Sequence, residues 1–439
     1  MTLSPSLRIA IDIGGTFTDT VLIRGHQEIL ASSKNLTTTT DPADGAREGA
    51  KRVLQLSGHS IEDVDGFIHG TTLATNALIE RQGACVASIT TEGFRDILEI
   101  GYERRYSQYD INLNKTEPLV PRERSFTVRE RVDVDGNVLI SLDPSSLDEL
   151  ISKLDACGAA AVAICLLHSY ANPAHEQKLR ALLNKHRPGL AISISSEVSP
   201  EAREYERLST TVANAYIQPL MKDYLQELAG AFSADGLNCP ILVMTAGGGM
   251  CTLDTATRFP IRLVESGPAG GAILAAQIAR QAGLDEVLSL DIGGTTAKLC
   301  LIDEGVAQTS RQFEIARAER FIKGSGIPVR IPVIEMIEIG AGGGSIAAVD
   351  RLGRLTVGPR SAGSDPGPAA FDRGGHLPTV TDADILLGYI PTETFAEGRL
   401  SINTDAADEA LVRDIGSALD LDAVGAADGV SRIVDENMA

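Results

Sequence analysis

Five consecutive residues, Asp-Ile-Gly-Gly-Thr, occur twice in this chain, at 12–16 and at 291–295. Each copy has the same surroundings. An apolar strand leads in (Leu7 to Ile13; Val287 to Ile292) and a second leads out (to Ile23; to Ile302). A Gly-Gly pair permits positive φ and leaves no side chain between an anion and the backbone, so successive amides can form a nest. Thr16 and Thr295 add hydroxyl donors. Asp12 and Asp291 stand where a strand enters the turn, and a carboxylate there tolerates a polyphosphate only with a divalent cation between them. Mg²⁺ suits that place because it takes few protein ligands and keeps several waters. One copy alone reads equally well as an ordinary hairpin connection. Two copies with the same Asp and Thr favour a pair of phosphate-binding hairpins.

A length of 439 residues predicts two or three domains. The net charge of −20, with no Lys/Arg cluster, argues against nucleic acid or an anionic membrane as main partner. Six cysteines include no Cys-x-x-Cys pair, as expected of buried thiols in a reducing cytosol. Seven scattered histidines lack His-Glu-x-x-His spacing, against structural zinc or haem. With no leader-like start and no apolar window of membrane-span length, the reading is a soluble cytoplasmic protein.

Along the chain, strands at 7–23, 29–34, 65–72 and 83–90 alternate with helices at 42–57 and 73–81, giving β-β-β-α-β-α-β and a mixed sheet with crossover helices. Residues 94–142 are polar and charged and carry three tyrosines within 102–109, which reads as an inserted loop at a substrate entrance or interface. Further helices are predicted over 143–156, 173–185 and 201–232 (with Pro219 as a kink), and strands over 160–167, 191–195 and 241–246. The last strand runs into Gly247-Gly248-Gly249. Residues 265–271 open a helix to about 282, before the second hairpin. A strand over 330–339 then enters Gly340-Ala341-Gly342-Gly343-Gly344-Ser345. In the first half His69-Gly70-Thr71-Thr72 begins 57 residues after Asp12, and in the second Gly342 follows Asp291 by 51. Similar spacing in both halves predicts a duplication: two similar domains, 1–200 and 201–439, facing across a cleft with one hairpin on each wall. The final residues look helical, with no closing signal, so the second half is expected to be cut short at its C-terminus.

Paired Asp-x-Gly-Gly-Thr hairpins resemble the superfamily of actin, the heat-shock ATPases and the sugar kinases. Within it, the segments Ile11 to Asp19, His69 to Ala77, Val264 to Gly271, Leu290 to Lys298, Glu338 to Ser345, Val357 to Pro368 and Pro378 to Asp384 resemble the hydantoinase A / 5-oxoprolinase family, with its N-methylhydantoinase A and acetone and acetophenone carboxylase subunits. The chain departs from many relatives at Thr295-Thr296-Ala297-Lys298 and at Ile337-Glu338-Ile339. The resemblance implies an α/β fold of duplicated ribonuclease-H-like, actin-like ATPase domains around a nucleotide cleft, with ATP and Mg²⁺ as cofactors. It implies an ATP-dependent hydrolase component that phosphorylates the carbonyl of a hydantoin, 5-oxoproline or lactam before ring opening, working with a hydantoinase B-type subunit. The alternatives are a ketone carboxylase subunit and a non-catalytic ATP-gated module of actin or chaperone type.

On this reading Asp12 and Asp291 are the catalytic and Mg²⁺-linked carboxylates. Gly14, Gly15, Thr16, Gly293, Gly294 and Thr295 cradle phosphates, and Lys298 reaches a phosphate or lies on a strand surface. Gly342, Gly343, Gly344 and Ser345 contact adenosine or the α-phosphate, with 247–249 as the other glycine run. His69 and Thr71, with Thr72 and Asn76, contact substrate beside the γ-phosphate, or the threonines cap a helix. Asp382 and Asp384 contact metal or cap a helix. Arg104, Arg105, Tyr106 and Tyr109 line an entrance or a subunit contact.

Overall fold

Alternation between apolar and other residues turns Leu7–Ile13 into strand β1, with Leu7, Ile9, Ile11 and Ile13 buried on one face and Asp12 reached by water on the other. The computed structural model describes residues 6–15, 17–25, 27–37, 42–103, 105–113, 115–317, 324–363, 365–395 and 401–438. Thr16 and Arg104 lie outside the described residues. After β1 come β2 (Phe17–Arg24), β3 (Glu28–Leu36), α1 (Pro42–Ser57), β4 (Gly66–Thr71), α2 (Leu73–Ile79), β5 (Val86–Thr91) and β6 (Ser125–Val128). Then follow α3 (Leu147–Ala156), β7 (Ala161–Cys165), α4 (Ala174–His186), β8 (Ala191–Ile194), α5 (Glu204–Ala234), β9 (Ile241–Met244), β10 (Met250–Thr252) and α6 (Ser266–Ala282). The last part holds β11 (Glu286–Ile292), β12 (Ala297–Asp303), β13 (Val306–Ala307), β14 (Ile337–Ile339), β15 (Ser345–Val349), β16 (Leu355–Ser361), α7 (Val380–Leu386), α8 (Thr404–Leu411) and α9 (Ala423–Met438). The alternation of strands and helices is the expected α/β order. Among the described residues no helix is long and apolar enough to cross a membrane.

The chain groups into two units whose segments interleave. One comprises residues 1–8, 61–270 and 309–334; the other comprises 9–60, 271–308 and 335–439. In the first unit, β5, β6, β7 and β8 form a parallel sheet in the order β8-β7-β5-β6. Apolar runs such as Ala161–Cys165 are buried on both faces, as parallel strands require. Ile89, Val162 and Ile164 pack with Leu150 and Leu154 of α3 and Leu179 and Leu183 of α4. The stretch 94–142 is more than an inserted loop: Ser125–Val128 adds β6 to this sheet, with Ser88 Oγ donating to Ser125 Oγ at 3.0 Å. Four residues are too short a run to show strand periodicity, which is why the sequence pattern hid them. β9 runs parallel to β4 and antiparallel to β10. Arg207, fully buried on α5, donates to the Leu166 carbonyl and to Ser195 Oγ, while Glu176 accepts from the Leu166 amide and Ser195 Oγ. The helix is thereby tied to the ends of β7 and β8. α5 continues through Pro219.

In the second unit β2 and β3 pair antiparallel, and β12 pairs antiparallel with β11 on one side and with β13 and β14 on the other. β15 and β16 form a further antiparallel pair. Ala297, Ile339 and Ala347 pack with Leu411, Ala426 and Val430 in this unit's core. Asp382 caps α7: its carboxylate accepts from the amides of Ala369, Ala370 and Thr379 and from Thr379 Oγ1, completing a capping box.

Asp384 lies on α7, which packs on α9, the helix that carries Asp435. Burial first, and the Asp435 charge second, push its carboxyl up to about 6. The folded state therefore holds this proton to higher pH than the unfolded chain does. Stability is lost as pH rises from about 4 through about 6, and the penalty is constant above that window. A shift of about two units corresponds to about 3 kcal/mol, and partial solvent access to Asp384 reduces the expectation to roughly 1 kcal/mol. Urea titrations should find Asp384→Asn more stable than wild type by that amount at pH 7.5 and indistinguishable from it below pH of about 4.

Candidate active site at the paired hairpins

Both Asp-Ile-Gly-Gly-Thr turns belong to the second unit and close in the same way. The Gly14 amide donates to the Phe17 carbonyl, and the Gly293 amide to the Thr296 carbonyl, each at 2.9 Å. The sequence repeat is thus a repeat of hydrogen bonding. The positive φ that Gly-Gly permits is not used by Gly14 or Gly293. Gly14 answers a demand for space instead. A Cβ on Gly14 would stand 3.0 Å from the Phe17 carbonyl oxygen.

The second turn is gripped from behind by Gly342–Ser345. The Gly343 amide donates to the Gly293 carbonyl at 3.0 Å and the Gly344 amide to the Gly294 carbonyl at 2.6 Å. Ser361 Oγ adds a longer bond to Gly294 at 3.5 Å, and Gly342 donates to Ser345 Oγ at 3.0 Å. A Cβ on Gly342 would lie 2.6 Å from the Gly293 oxygen and 2.9 Å from the Thr295 nitrogen. In a trans peptide the C=O of one residue and the N–H of the next point to opposite sides. Holding the carbonyls of Gly293 and Gly294 therefore turns the amides of Gly294 and Thr295 away from the clamp. Both residues are exposed, and among the described residues neither amide donates to a protein acceptor. Two adjacent outward N–H groups have the form of a nest that can receive an anion. In the first turn Thr37 Oγ1 plays the same part, donating to the Gly14 carbonyl at 2.9 Å.

The charges around the turns are crowded. Asp12 has its carboxyl raised, by burial first and then by the charges of Asp19 and Asp291, with Lys34 opposing. Water reaches the side chain, but protein atoms surround it on most sides, so burial remains the largest cause. Lys34 Nζ meets both Asp19 oxygens at 2.9 Å. Lys298 stands in register with Asp291 on one side and with Glu338 on the other. No group of three or more His, Cys, Asp or Glu side chains among the described residues is arranged to hold a metal by itself. Two carboxylates beside an anion nest instead suit a Mg²⁺ that arrives with a phosphate and fills its shell with water.

The other predicted residues are placed less openly. His69, in the first unit, is fully buried, and its Nε2 lies 2.7 Å from the Tyr224 hydroxyl. Thr71 is also buried; its Oγ1 accepts from the Leu73 amide at 3.1 Å at the start of α2, and its carbonyl accepts from Ser266 Oγ at 3.3 Å. Thr75 Oγ1 accepts from the Glu265 amide at 3.1 Å. Gly247–Gly249 close a turn of their own, with the Thr245 amide donating to Gly249 and the Gly248 amide to Thr245. Thr37, Ser361, Tyr224 and Thr75 were not foreseen, because each contact spans a distance in sequence that no local pattern marks. The Asp19–Lys34 pair was within reach. Shifting one copy onto the other sets Asp19 against Lys298, which shows the position carries a charge in both.

An α/β fold that carries two copies of one glycine turn, closed by the same hydrogen bond, defines the class of protein to which this chain is compared. The chain belongs to the hydantoinase/oxoprolinase family: residues 8–187 match its N-terminal region and residues 207–439 match the hydantoinase/oxoprolinase region. It is 34% identical over 437 residues to caprolactamase subunit alpha of Pseudomonas jessenii, spanning 98% of this chain and 61% of that one. It is likewise 34% identical over 449 residues to the acetophenone carboxylase gamma subunit of Aromatoleum aromaticum, spanning 98% and 60%. With 5-oxoprolinase of Saccharomyces cerevisiae the identity is 33% over 433 residues, covering 89% of this chain and 32% of the relative. Among solved structures, nucleotide-free acetone carboxylase superposes with a TM-score of 0.84 at 26% identity, covering 99% of this chain and 62% of that chain. The ATP-dependent caprolactamase of P. jessenii superposes at 0.79 and 33% identity, covering 98% and 62%. The chain thus spans less than two thirds of the length of these relatives.

Two tests follow from the geometry. Gly342→Ala should lower unfolding free energy by about 1–3 kcal/mol through overpacking against the second turn. Gly230→Ala, inside α5 with no neighbour within 4 Å of an added Cβ, should be neutral or stabilising by up to about 1 kcal/mol. Chemical denaturation of the two variants checks the contrast. Asp12→Asn should raise the melting temperature of the ligand-free protein at pH 7.5, because the raised carboxyl makes ionised Asp12 a cost above the ordinary Asp range. The gain should vanish below pH of about 4, where folded and unfolded forms are both protonated.

Proposed function

We propose that this chain binds Mg·ATP at the paired hairpins and uses it to activate the carbonyl of a cyclic amide (a lactam, hydantoin or 5-oxoproline) for hydrolysis. The outward amides of Gly294 and Thr295, beside Asp12 and Asp291, are the observation that carries this reading. Bound ATP would supply a phosphoryl group to the amide oxygen; water would add to the activated carbon, the C–N bond would break with the nitrogen leaving as the amine, and hydrolysis of the resulting acyl phosphate would release carboxylate and inorganic phosphate. The chain's own work is positioning and charge neutralisation, which is most of what phosphoryl transfer asks of a protein. The two nests hold phosphate oxygens, Asp12 and Asp291 take the metal, and Lys298 supplies a cation one strand from the turn. Gly342–Ser345 act by bracing the second turn, with their Cβ-free surface beside it. His69 and Thr71 act by holding the β4–α2 junction. The turns read as the matching parts of duplicated actin-like domains. A companion subunit of hydantoinase B type supplies what this chain lacks, by analogy with relatives named as subunits. ATP supply and six unpaired thiols point to the cytosol.

A second reading, a ketone carboxylase subunit, is favoured by the high superposition on acetone carboxylase. Phosphate release should be measured with the companion subunit present. Stimulation by lactams, hydantoins or 5-oxoproline supports the hydrolase; a requirement for bicarbonate with a ketone supports the carboxylase instead. Asp12→Asn or Asp291→Asn should lower substrate-dependent phosphate release by about 100-fold or more. Retention of full activity in both variants would remove the hairpins from the chemistry.

A further inference from the structure

The two hairpins have the same sequence pattern and the same closing bond, yet their entry strands differ in what covers them. Ile9, Ile11 and Ile13 on β1 are 0%, 2% and 3% exposed. The residues at the same places on β11, Leu288, Leu290 and Ile292, are 54%, 52% and 52% exposed. All three point to one face, since they are two apart on a strand. β11 is also a terminal strand: it pairs with β12 and, among the described residues, with no strand on its other edge. Leu274 and Ile278, four apart on the second half of α6, are exposed as well, at 57% and 54%. An open strand edge beside an apolar face of this kind is what soluble proteins avoid unless something docks there.

We propose that the β11 edge and the Leu288–Leu290–Ile292 face are the seat of a polypeptide segment from the region by which the longer relatives exceed this chain. Three observations select that occupant. The burial of the equivalent β1 face shows that this hairpin design is built to be covered. In the relatives matched over nearly all of this chain, about two fifths of their own length lies outside the match. The free edge is a backbone ladder, which fits an added strand with alternating apolar residues, while Leu274 and Ile278 fit a second apolar element packed across it. The proposal is independent of the nucleotide reading, because neither the nest nor Asp12 enters it.

The test mixes the purified protein with a recombinant polypeptide comprising the part of P. jessenii caprolactamase subunit alpha outside the matched span. Sedimentation velocity should show a one-to-one complex, and hydrogen exchange at amides 286–292 should slow by about tenfold or more. The double variant Leu288→Glu/Leu290→Glu should weaken the complex by about tenfold or more, whereas Leu352→Glu, in an exposed turn, should leave it unchanged. Binding without protection of 286–292, or no binding by a fragment shown to be folded, overturns the proposal. So does a dimer of the protein alone that protects 286–292, since the occupant is then a second copy. A fragment that fails to fold leaves a decisive measurement in the solved caprolactamase. The positions aligned with Leu288, Leu290 and Ile292 should there be buried under residues outside the matched span, and finding them in water overturns the proposal.

Discussion

The grip of Gly343 and Gly344 on the carbonyls of Gly293 and Gly294 determines what the second hairpin can do. A two-residue turn has few ways to satisfy its peptide groups. Once two carbonyls are held from behind, peptide planarity sends the next two amides to the opposite side. The nest is therefore a consequence of bracing, and its direction is set before any ligand arrives. That preorganisation avoids the cost of turning amides during a reaction. It also explains the run of glycines at 342–344. Atoms of the hairpin backbone lie where a side chain on Gly342 or Gly344 would have to be.

The carboxylates beside the turns tell the opposite story about stability. Asp12 is held in protein-rich surroundings near Asp19 and Asp291, and its proton affinity rises as a result. Asp19 is relieved by a two-oxygen contact with Lys34. A fold selected only for stability would not crowd three carboxylates around two anion-binding turns. A divalent cation removes the conflict, since it converts mutual repulsion into shared coordination and admits a polyphosphate besides. The penalty in the ligand-free state and the capacity to take a cation come from one arrangement.

Much of this was legible in the residues. The repeat at 12–16 and 291–295 marked the hairpins and their carboxylates, and seven segments spread along the chain carried the family resemblance. The alternation of strands and helices gave the α/β class. What stayed hidden depends on contacts between distant segments. Nothing local connects His69 to Tyr224, 155 residues away, and the buried bond between them makes His69 a fixed part of the interior. Thr37 reaches back to Gly14 through a hydroxyl no motif marks. A Gly-Gly pair permits positive φ, yet Gly14 and Gly293 do not use it; at Gly14 the close Phe17 carbonyl leaves little room for a side chain. β6 escaped notice because four residues cannot display a period. The interleaving of the two units could not be read either, since it is decided by which strands pair, and pairing is not written into any one segment.

The two copies also differ in a way that bears on their separate tasks. The position two residues beyond each turn's closing residue is Asp19 in the first copy and Lys298 in the second. Its cross-strand neighbour is reversed to match, Lys34 in one and Glu338 in the other. Each copy thus keeps one acid and one base at this place, so the pairing survives while the sign beside the turn changes. A third-strand cation opposite Asp19 offsets acid that would otherwise add to Asp12. A cation on the middle strand, in register with Asp291, stands beside the nest itself. Had the second copy kept Asp at 298, two carboxylates would face each other across β11 and β12 and repel. The charge reversal places a cation in register with Asp291 in the second copy and an acid at the matching place in the first, so the duplicated turn is electrostatically two unlike halves.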